Sequence, residues 1–408
     1  MGIHHISHGS TTLESILAID IGTSSLKAAF IGLDFKQKAF TREMYSADTN
    51  IAHQWEAALL QGIQRLFEAC PFAKPIAVCI SANGPSLVPV GVDGEVGESL
   101  LWYDRRTVTI EGEKSFFLPH AAFFARDCSE QYERTRFLFS AQEWLSFKMG
   151  AEPVTVLPQS GYAEYYWNDE QCALFGVDRA KLPPFVGMGE IIGAVSKEAA
   201  RRYGLTQGVP IVGAGPDFIM ALIGVGAIET GVVCDRAGTS EGINICTDHE
   251  TAVRAVGLRV LPHIKDGLWN IGGVIPRSGA LFDDFLKKNS QKGDYSEILR
   301  GIMADEQGEG FSTLETMARD VKAVLKTFEQ NGLSIKEMRV SGGQGKSRLW
   351  NQMKADRTGC ILVIPEIVDG ELAGDAALTF TALGQTRTIE EAVSRLFRIK
   401  EIFHPSTE

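Results

Sequence analysis

From residue 16 the chain alternates between continuous apolar runs and short breaks of glycine and hydroxyl residues. "ILAIDIG" and "AFIGL" flank Gly22-Thr23-Ser24 and lack helical spacing, which predicts a β-hairpin over residues 16–33. "HQWEAALLQGIQRLFEA", residues 53–69, places its apolar residues on one helical face. "PIAVCISA" reads as a buried strand broken by "NGP", and "SLVPVGVDGEVGESLLWYD" as strand, Asp-Gly turn, strand. Residues 119–148 read as mostly helical. "SKEAARRYG" is a short helix closed by Gly204, "VPIVGAG" a strand, and "PDFIMALIGVGA" a helix with Pro216 in its first turn. "TGVVCDRAGTSEGINICTD" then repeats the opening pattern of strand, Gly-Thr-Ser, strand. An amphipathic helix over 311–330 follows, then strand, Gly-rich turn and helix in "EMRVSGGQGKSRLWNQMKADRTG", the strand "CILVIPE" and the small-residue helix "AGDAALTFTALG".

The 408 residues suggest two or three domains, and the 44% apolar and 22% charged content is that of a globular protein with real cores. The expected division is an unstructured head over 1–15, a lobe over 16–230 and a second lobe over 231–408. The head, "MGIHHISHGSTTLES", lacks signal-peptide features, and its His4, His5 and His8 have no second ligand cluster to share a metal with. No apolar run reaches the length of a membrane helix, so no membrane is expected as partner. Seven scattered cysteines, none in C-x-x-C spacing, point to a reducing cytoplasmic setting. The net charge of −11 disfavours nucleic acid. A small anion remains open to the chain, because backbone N–H groups hold phosphate whatever the net charge.

Two familiar patterns fail on inspection. Gly345-Lys346-Ser347 lacks the first glycine of a P-loop, since Val340 stands in its place. "IVGAGPDF" puts Phe218 where a dinucleotide fingerprint needs its third glycine. Three glycine turns remain, each after a strand: Gly22-Thr23-Ser24, Gly238-Thr239-Ser240 and Gly342-Gly343. Two of them sit in similar hairpins far apart, the pattern of a duplicated core gripping one polyphosphate from both sides.

In these blocks the chain resembles the FGGY family of carbohydrate kinases, within the actin-like ATPase superfamily. "AIDIGTSSLKA" looks like its first phosphate motif, and "ISANGPSLVPVGVDGEVGESLLWYDRRT" like its sugar segment. The stretch from "GEIIGAV" to "GVGAIETG" looks like its catalytic Asp block, "AGTSEG" like its second phosphate motif, and "VSGGQGKSRLWNQMKADRTGCILVIPE" like its adenosine motif. The resemblance implies an α/β fold of two actin-like, ribonuclease H-like lobes, with ATP and a small sugar or polyol in the cleft between them. It makes Asp217 the general base and places Asp20 near Mg²⁺. Gly22, Thr23, Ser24, Gly238, Thr239 and Ser240 fall at the phosphates, and Gly342, Gly343 and Asn351 at the adenosine. Asn83, Trp102, Asp104 and Arg106, together with Asp217, fall at the sugar, a ketose such as a pentulose or a polyol. Lys27 is read as a solvated lysine, with phosphate neutralisation the alternative.

The sequence also departs from the family. Asn83-Gly84-Pro85 replaces the Met-His pair usual in xylulose kinases, and Tyr103 replaces an Asn. Arg236 stands two residues before its glycine, as Asp20 does in the first hairpin. Its open readings are charge at the phosphates or pairing with Asp235 or Glu241. A family segment near 286–311 is shortened, which bears on the cleft or on an oligomer surface; a homodimer is compatible with the sequence. Two rivals stand beside the kinase: a non-catalytic ATP or sugar sensor of the same fold, and an actin- or chaperone-like ATPase.

Overall fold

The structure, a computed structural model, describes residues 12–46, 50–249, 258–291 and 294–406. The strands β1 (Leu13–Ile21), β2 (Ser25–Gly32), β3 (Gln37–Met44), β4 (Ala73–Ala82), β5 (Ile191–Ala194) and β6 (Pro210–Pro216) form a first sheet, ordered β3-β2-β1-β4-β6-β5. β1, β2 and β3 run antiparallel, while β4 is parallel to both β1 and β6. A second sheet holds β7 (Val232–Ala237), β8 (Glu241–Thr247), β9 (Arg259–Pro262), β10 (Trp269–Ile275), β11 (Glu337–Ser341), β12 (Leu362–Pro365) and β13 (Ile399–Phe403), ordered β9-β10-β8-β7-β11-β12-β13. Its centre repeats the first: antiparallel β10-β8-β7, then β7, β11 and β12 in parallel. The two Gly-Thr-Ser turns join β1 to β2 and β7 to β8, so they occupy equivalent corners of the duplicated sheets.

The apolar runs of the first sheet are continuous because both its faces are covered. Along β1, Leu17, Ile19 and Ile21 face one core, while Ile16 and Ala18 face another. That second core is shared between the sheets. It takes in Val232 and Cys234 of β7 and the helices Asp217–Gly224 and Gly370–Ala382. These two helices, one following β6 and one following β12, pack tightly on each other, and the Gly370 helix also lies on β1 and β4. Their contact runs backbone to backbone. A Cβ on Gly224 would stand 1.9 Å from the Gly370 carbonyl oxygen, and one on Gly374 would stand 2.0 Å from that of Met220.

Several expectations change. β1 begins at Leu13, so residues 13–15 of the expected head are strand. Ser15 is fully buried opposite Gly32 and Pro75, although its polarity made the segment read as tail. Residues 1–11, with the three histidines, lie outside the described residues. Pro216 ends β6 and caps the next helix rather than sitting in its first turn. Within 119–148, Thr135–Phe139 is a strand. It pairs with Val88–Gly91, so the expected Asp-Gly hairpin is reduced to single bridges. Ser278–Lys288 and Tyr295–Ala304 are helices in a stretch with no sequence-based assignment. Among the described residues, no helix is long and apolar enough to cross a membrane.

Gly374→Ala tests the crossing. Its methyl cannot fit without moving backbone, so we expect unfolding free energy to fall by about 1–3 kcal/mol in chemical denaturation, despite alanine's better helix propensity.

Candidate functional site

Side-chain alternation on β1 and β2 explains the buried carboxylate. Asp20 shares the face of Ile16 and Ala18, and Lys27 that of Ala29 and Ile31, at the end where the shared core gives way to the hairpin turn. Asp20 is 2% exposed, and its Oδ2 lies 3.3 Å from Lys27 Nζ. The Gly370 helix brings two more acids to the same cation: Lys27 Nζ is 3.2 Å from Asp369 Oδ1 and 3.6 Å from Glu371 Oε2. Lys27 is therefore not the solvated residue expected. It ties the two lobes together, and the carboxylates raise its pKa against the effect of burial. One turn along the helix, Asp375 is fully buried and accepts a 3.0 Å hydrogen bond from Ser81 Oγ of β4.

β7 mirrors this arrangement with the charge reversed. Asp235 and Arg236 point to opposite faces. Asp235 and Glu241 both bind the buried Lys354, Nζ lying 2.7 Å from Asp235 Oδ2 and 2.5 Å from Glu241 Oε1. Ser278 Oγ donates to the other Glu241 oxygen at 2.5 Å. Lys354 thus takes both acids offered as partners for Arg236. Arg236 instead shares the face of Val232 and Cys234, and its Nη1 lies 3.2 Å from Asp217 Oδ1.

Asp217, half-buried as the first residue of its helix, stands where these groups converge. Burial raises its pKa and Arg236 opposes the rise; Glu371 raises it further, while Lys27 lowers it. Asp20 is within electrostatic reach of Asp217, and burial pushes its carboxyl up to about 8, against the pull of Lys27. Its Oδ1 is buried without a hydrogen-bond partner. That orphan oxygen suits a cation. Mg²⁺ needs only one or two carboxylates when phosphate and water supply the rest, consistent with the absence of a cage of three ligating side chains among the described residues.

The two hairpins bring their glycine turns to this cluster through Asp20 and Arg236. In the first, Gly22 N–H donates to the Ser25 carbonyl and Tyr45 OH to that of Gly22. Among the described residues the N–H groups of Thr23, Ser24 and Thr239 donate to no protein acceptor. Such free donors in a tight turn form an anion cradle. Gly238 and Thr239 are exposed, and Ser240 is partly so. The open face of Gly343 has nothing within 4 Å of an added Cβ. Gly342, at φ +98°, packs on β7, where a Cβ would stand 2.7 Å from the Ala237 carbonyl oxygen.

Other expected residues are differently engaged. Asn351 is buried and its Nδ2 donates 2.9 Å to the Gly345 carbonyl, so it shapes the glycine turn from beneath. Asn83 donates 3.1 Å to Thr23 Oγ1, which places it at the first hairpin. Arg106 binds Asp104 Oδ2 at 2.7 Å and Glu98 at 2.5 Å. Asp104 and Arg106 line a cavity of about 690 Å³ whose walls do not include Asp217. Trp102 is partly exposed and meets Tyr103 edge-on. Asp369, Glu371 and Asp375 escaped the sequence reading. Their signal is an acid at i and i+4, Glu371 and Asp375, within "GELAGDAALTF", a helix otherwise of small and apolar residues.

Comparison with known proteins agrees with the fold. Residues 122–224 match the family model for the N-terminal domain of the FGGY family of carbohydrate kinases, and residues 294–383 that for its C-terminal domain. The chain is 21% identical to a xylulose kinase of Staphylococcus epidermidis, over 97% of this chain and 93% of the relative. It is also 21% identical to an L-fuculokinase of Escherichia coli O157:H7, over 97% and 98%. A ligand-bound xylulose kinase from Lactobacillus acidophilus superposes with a TM-score of 0.79 at 16% identity, covering 97% of this chain and 94% of that one.

Lys27→Met would leave Asp20, Asp369 and Glu371 without their shared cation. We expect a loss of about 3 kcal/mol, the lower end for breaking a buried ion pair, since Lys27 keeps some solvent contact. An acid whose folded pKa is raised holds a proton that the unfolded chain has released, so its stability contribution falls as pH rises from about 4 toward 8. The deficit of the variant is therefore expected to be larger at pH 8 than at pH 5 in denaturant titrations.

Proposed function

The chain belongs to the FGGY family of carbohydrate kinases, and we propose that it transfers the γ-phosphoryl group of ATP to a hydroxyl of a small sugar or polyol, with Asp217 as general base. The observation that carries this reading is the convergence of Asp217 with both glycine hairpins through Asp20 and Arg236. Phosphoryl transfer asks for in-line placement and charge neutralisation more than for covalent help. Thr23, Ser24 and Thr239 supply free backbone donors for the phosphates from the two lobes. Gly342 and Gly343 form the turn offered to the adenosine. Asp20 with its orphan oxygen would hold Mg²⁺ through the phosphates and water; that ion, when bound, neutralises charge on the phosphate oxygens. Asp217 accepts the proton of the attacking hydroxyl. The relatives named for xylulose and L-fuculose phosphorylation support a sugar-class acceptor, a ketose such as a pentulose, or a polyol.

The Asp104–Arg106–Glu98 pairing favours one second reading, a binding protein of this fold that senses nucleotide without turnover. A coupled ADP-release assay over ketopentoses, ketohexoses, polyols and aldonates separates the two: acceptor-dependent ADP release supports the kinase, and binding without turnover supports the sensor. In the kinase, Asp217→Ala is expected to lower kcat by about 10²–10⁴-fold while ATP still binds at least as tightly as to the parent. Turnover equal to the parent would remove Asp217 from the mechanism. A base works only when ionised, so activity should fall on acidification through the Asp217 pKa. Burial places that acid limb above the ordinary carboxylate value of 3.8.

A further inference from the structure

We propose that Arg236 is an arginine finger carried within the chain itself: paired with Asp217 before the nucleotide arrives, it turns its guanidinium onto the γ-phosphoryl oxygens when ATP binds and holds them through transfer. This rests on the kinase reading and deepens it.

Four features support the assignment. Arg236 stands two residues before Gly238, on the strand that leads into the second phosphate hairpin, and faces the core shared by the two lobes. Its Nη1 is held 3.2 Å from Asp217 Oδ1, but its Nε is buried with no hydrogen-bond partner. A buried guanidinium N–H left unpaired is costly, and an anionic oxygen is the partner that satisfies it best. The neighbouring strand makes room for the side chain. Gly242 pairs with Arg236 across β7 and β8, and a Cβ on it would stand 2.9 Å from Nη2 and 3.1 Å from Nε. Around the guanidinium lie Asp217, Glu371 and Asp20, so it is the cation that β7 presents to an otherwise acidic group, opposite Lys27 on β2.

Transfer of the guanidinium also frees the base. With Arg236 on the γ-phosphoryl, the Asp217 carboxylate takes the proton of the acceptor hydroxyl. The oxygen lone pair of that hydroxyl forms the new O–P bond. The bond from the γ-phosphorus to the bridging oxygen breaks, and its electron pair leaves with ADP. No other reactant is needed. Within this scheme Arg236 touches the transferred group, while Gly242 acts only by leaving it space.

The test compares nucleotides that differ by the γ-phosphate. Calorimetric titration of the full chain with ATP and with ADP, in Mg²⁺, should show Arg236→Met weakening ATP by about tenfold or more while ADP changes by less than about twofold. Acceptor-dependent kcat should fall by about 10³-fold or more. Arg236→Lys, which keeps the charge without the planar fork, should recover part of the ATP affinity but little of kcat. Gly242→Ala keeps the arginine and displaces it, and should lose ATP over ADP in the same direction with a smaller amplitude. It serves as the independent arm if Arg236→Met melts at a lower temperature. Equal weakening of ATP and ADP, or unchanged kcat, in the Arg236 variants overturns the inference alone. A parent chain that binds neither nucleotide overturns both the inference and the kinase reading.

Discussion

The glycine crossing between the Asp217 and Gly370 helices is the constraint on which the rest of the structure depends. Only where side chains are absent can two helices meet backbone to backbone, and here Gly224 and Gly374 provide that absence. At the crossing the last residue of the Asp217 helix, Gly224, abuts the first of the Gly370 helix, and Met220 abuts Gly374, so the two helices run antiparallel. Asp217 opens the first, and Asp369 and Glu371 open the second. Carboxylates at helix N-termini are favoured by the positive end of the helix dipole, and so are phosphates. Asp369 and Glu371 pair with Lys27, and Glu371 lies within electrostatic reach of Asp217.

That place is over-supplied with acid. Asp20, Asp217, Asp369 and Glu371 face Lys27 and Arg236, and the buried Asp375 lies within electrostatic reach of Asp20 and Glu371. Burial raises the pKa of Asp20, Asp217 and Asp375, which means that the free protein holds these groups against their preference for solvent. Such a cluster is poorly suited to stability and well suited to a charged ligand that brings its own cation. The Lys354 triad on the opposite face of β7 differs: Asp235 and Glu241 share one buried lysine and Ser278, and the group is closed. Its role is to hold the second hairpin in place.

The duplicated sheet was legible in the sequence because each hairpin carries its own signal, an apolar run, Gly-Thr-Ser and a second apolar run, and both hairpins formed as expected. Asp217 was legible through its block, though its role remains a proposal. What could not be read were contacts across the lobes. Nothing near Lys27 in sequence announces Asp369 or Glu371, more than 340 residues away, so it read as an ordinary solvated lysine. Arg236 was read against its sequence neighbours Asp235 and Glu241, but strand alternation turns Asp235 to the other face and Lys354 claims both acids. The Thr135–Phe139 strand was masked by the helical segments on either side of it.

The central claim is that two hairpins from separate sheets grip one nucleotide tail and aim its end at Asp217. A crystal structure of the chain with Mg²⁺ and a non-hydrolysable ATP analogue tests this directly. The account predicts the β- and γ-phosphates between the Gly22–Ser24 and Gly238–Ser240 turns, with the terminal phosphorus facing the Asp217 carboxylate across room for one acceptor hydroxyl. A nucleotide bound by one hairpin alone, or with its phosphates turned away from Asp217, would contradict it.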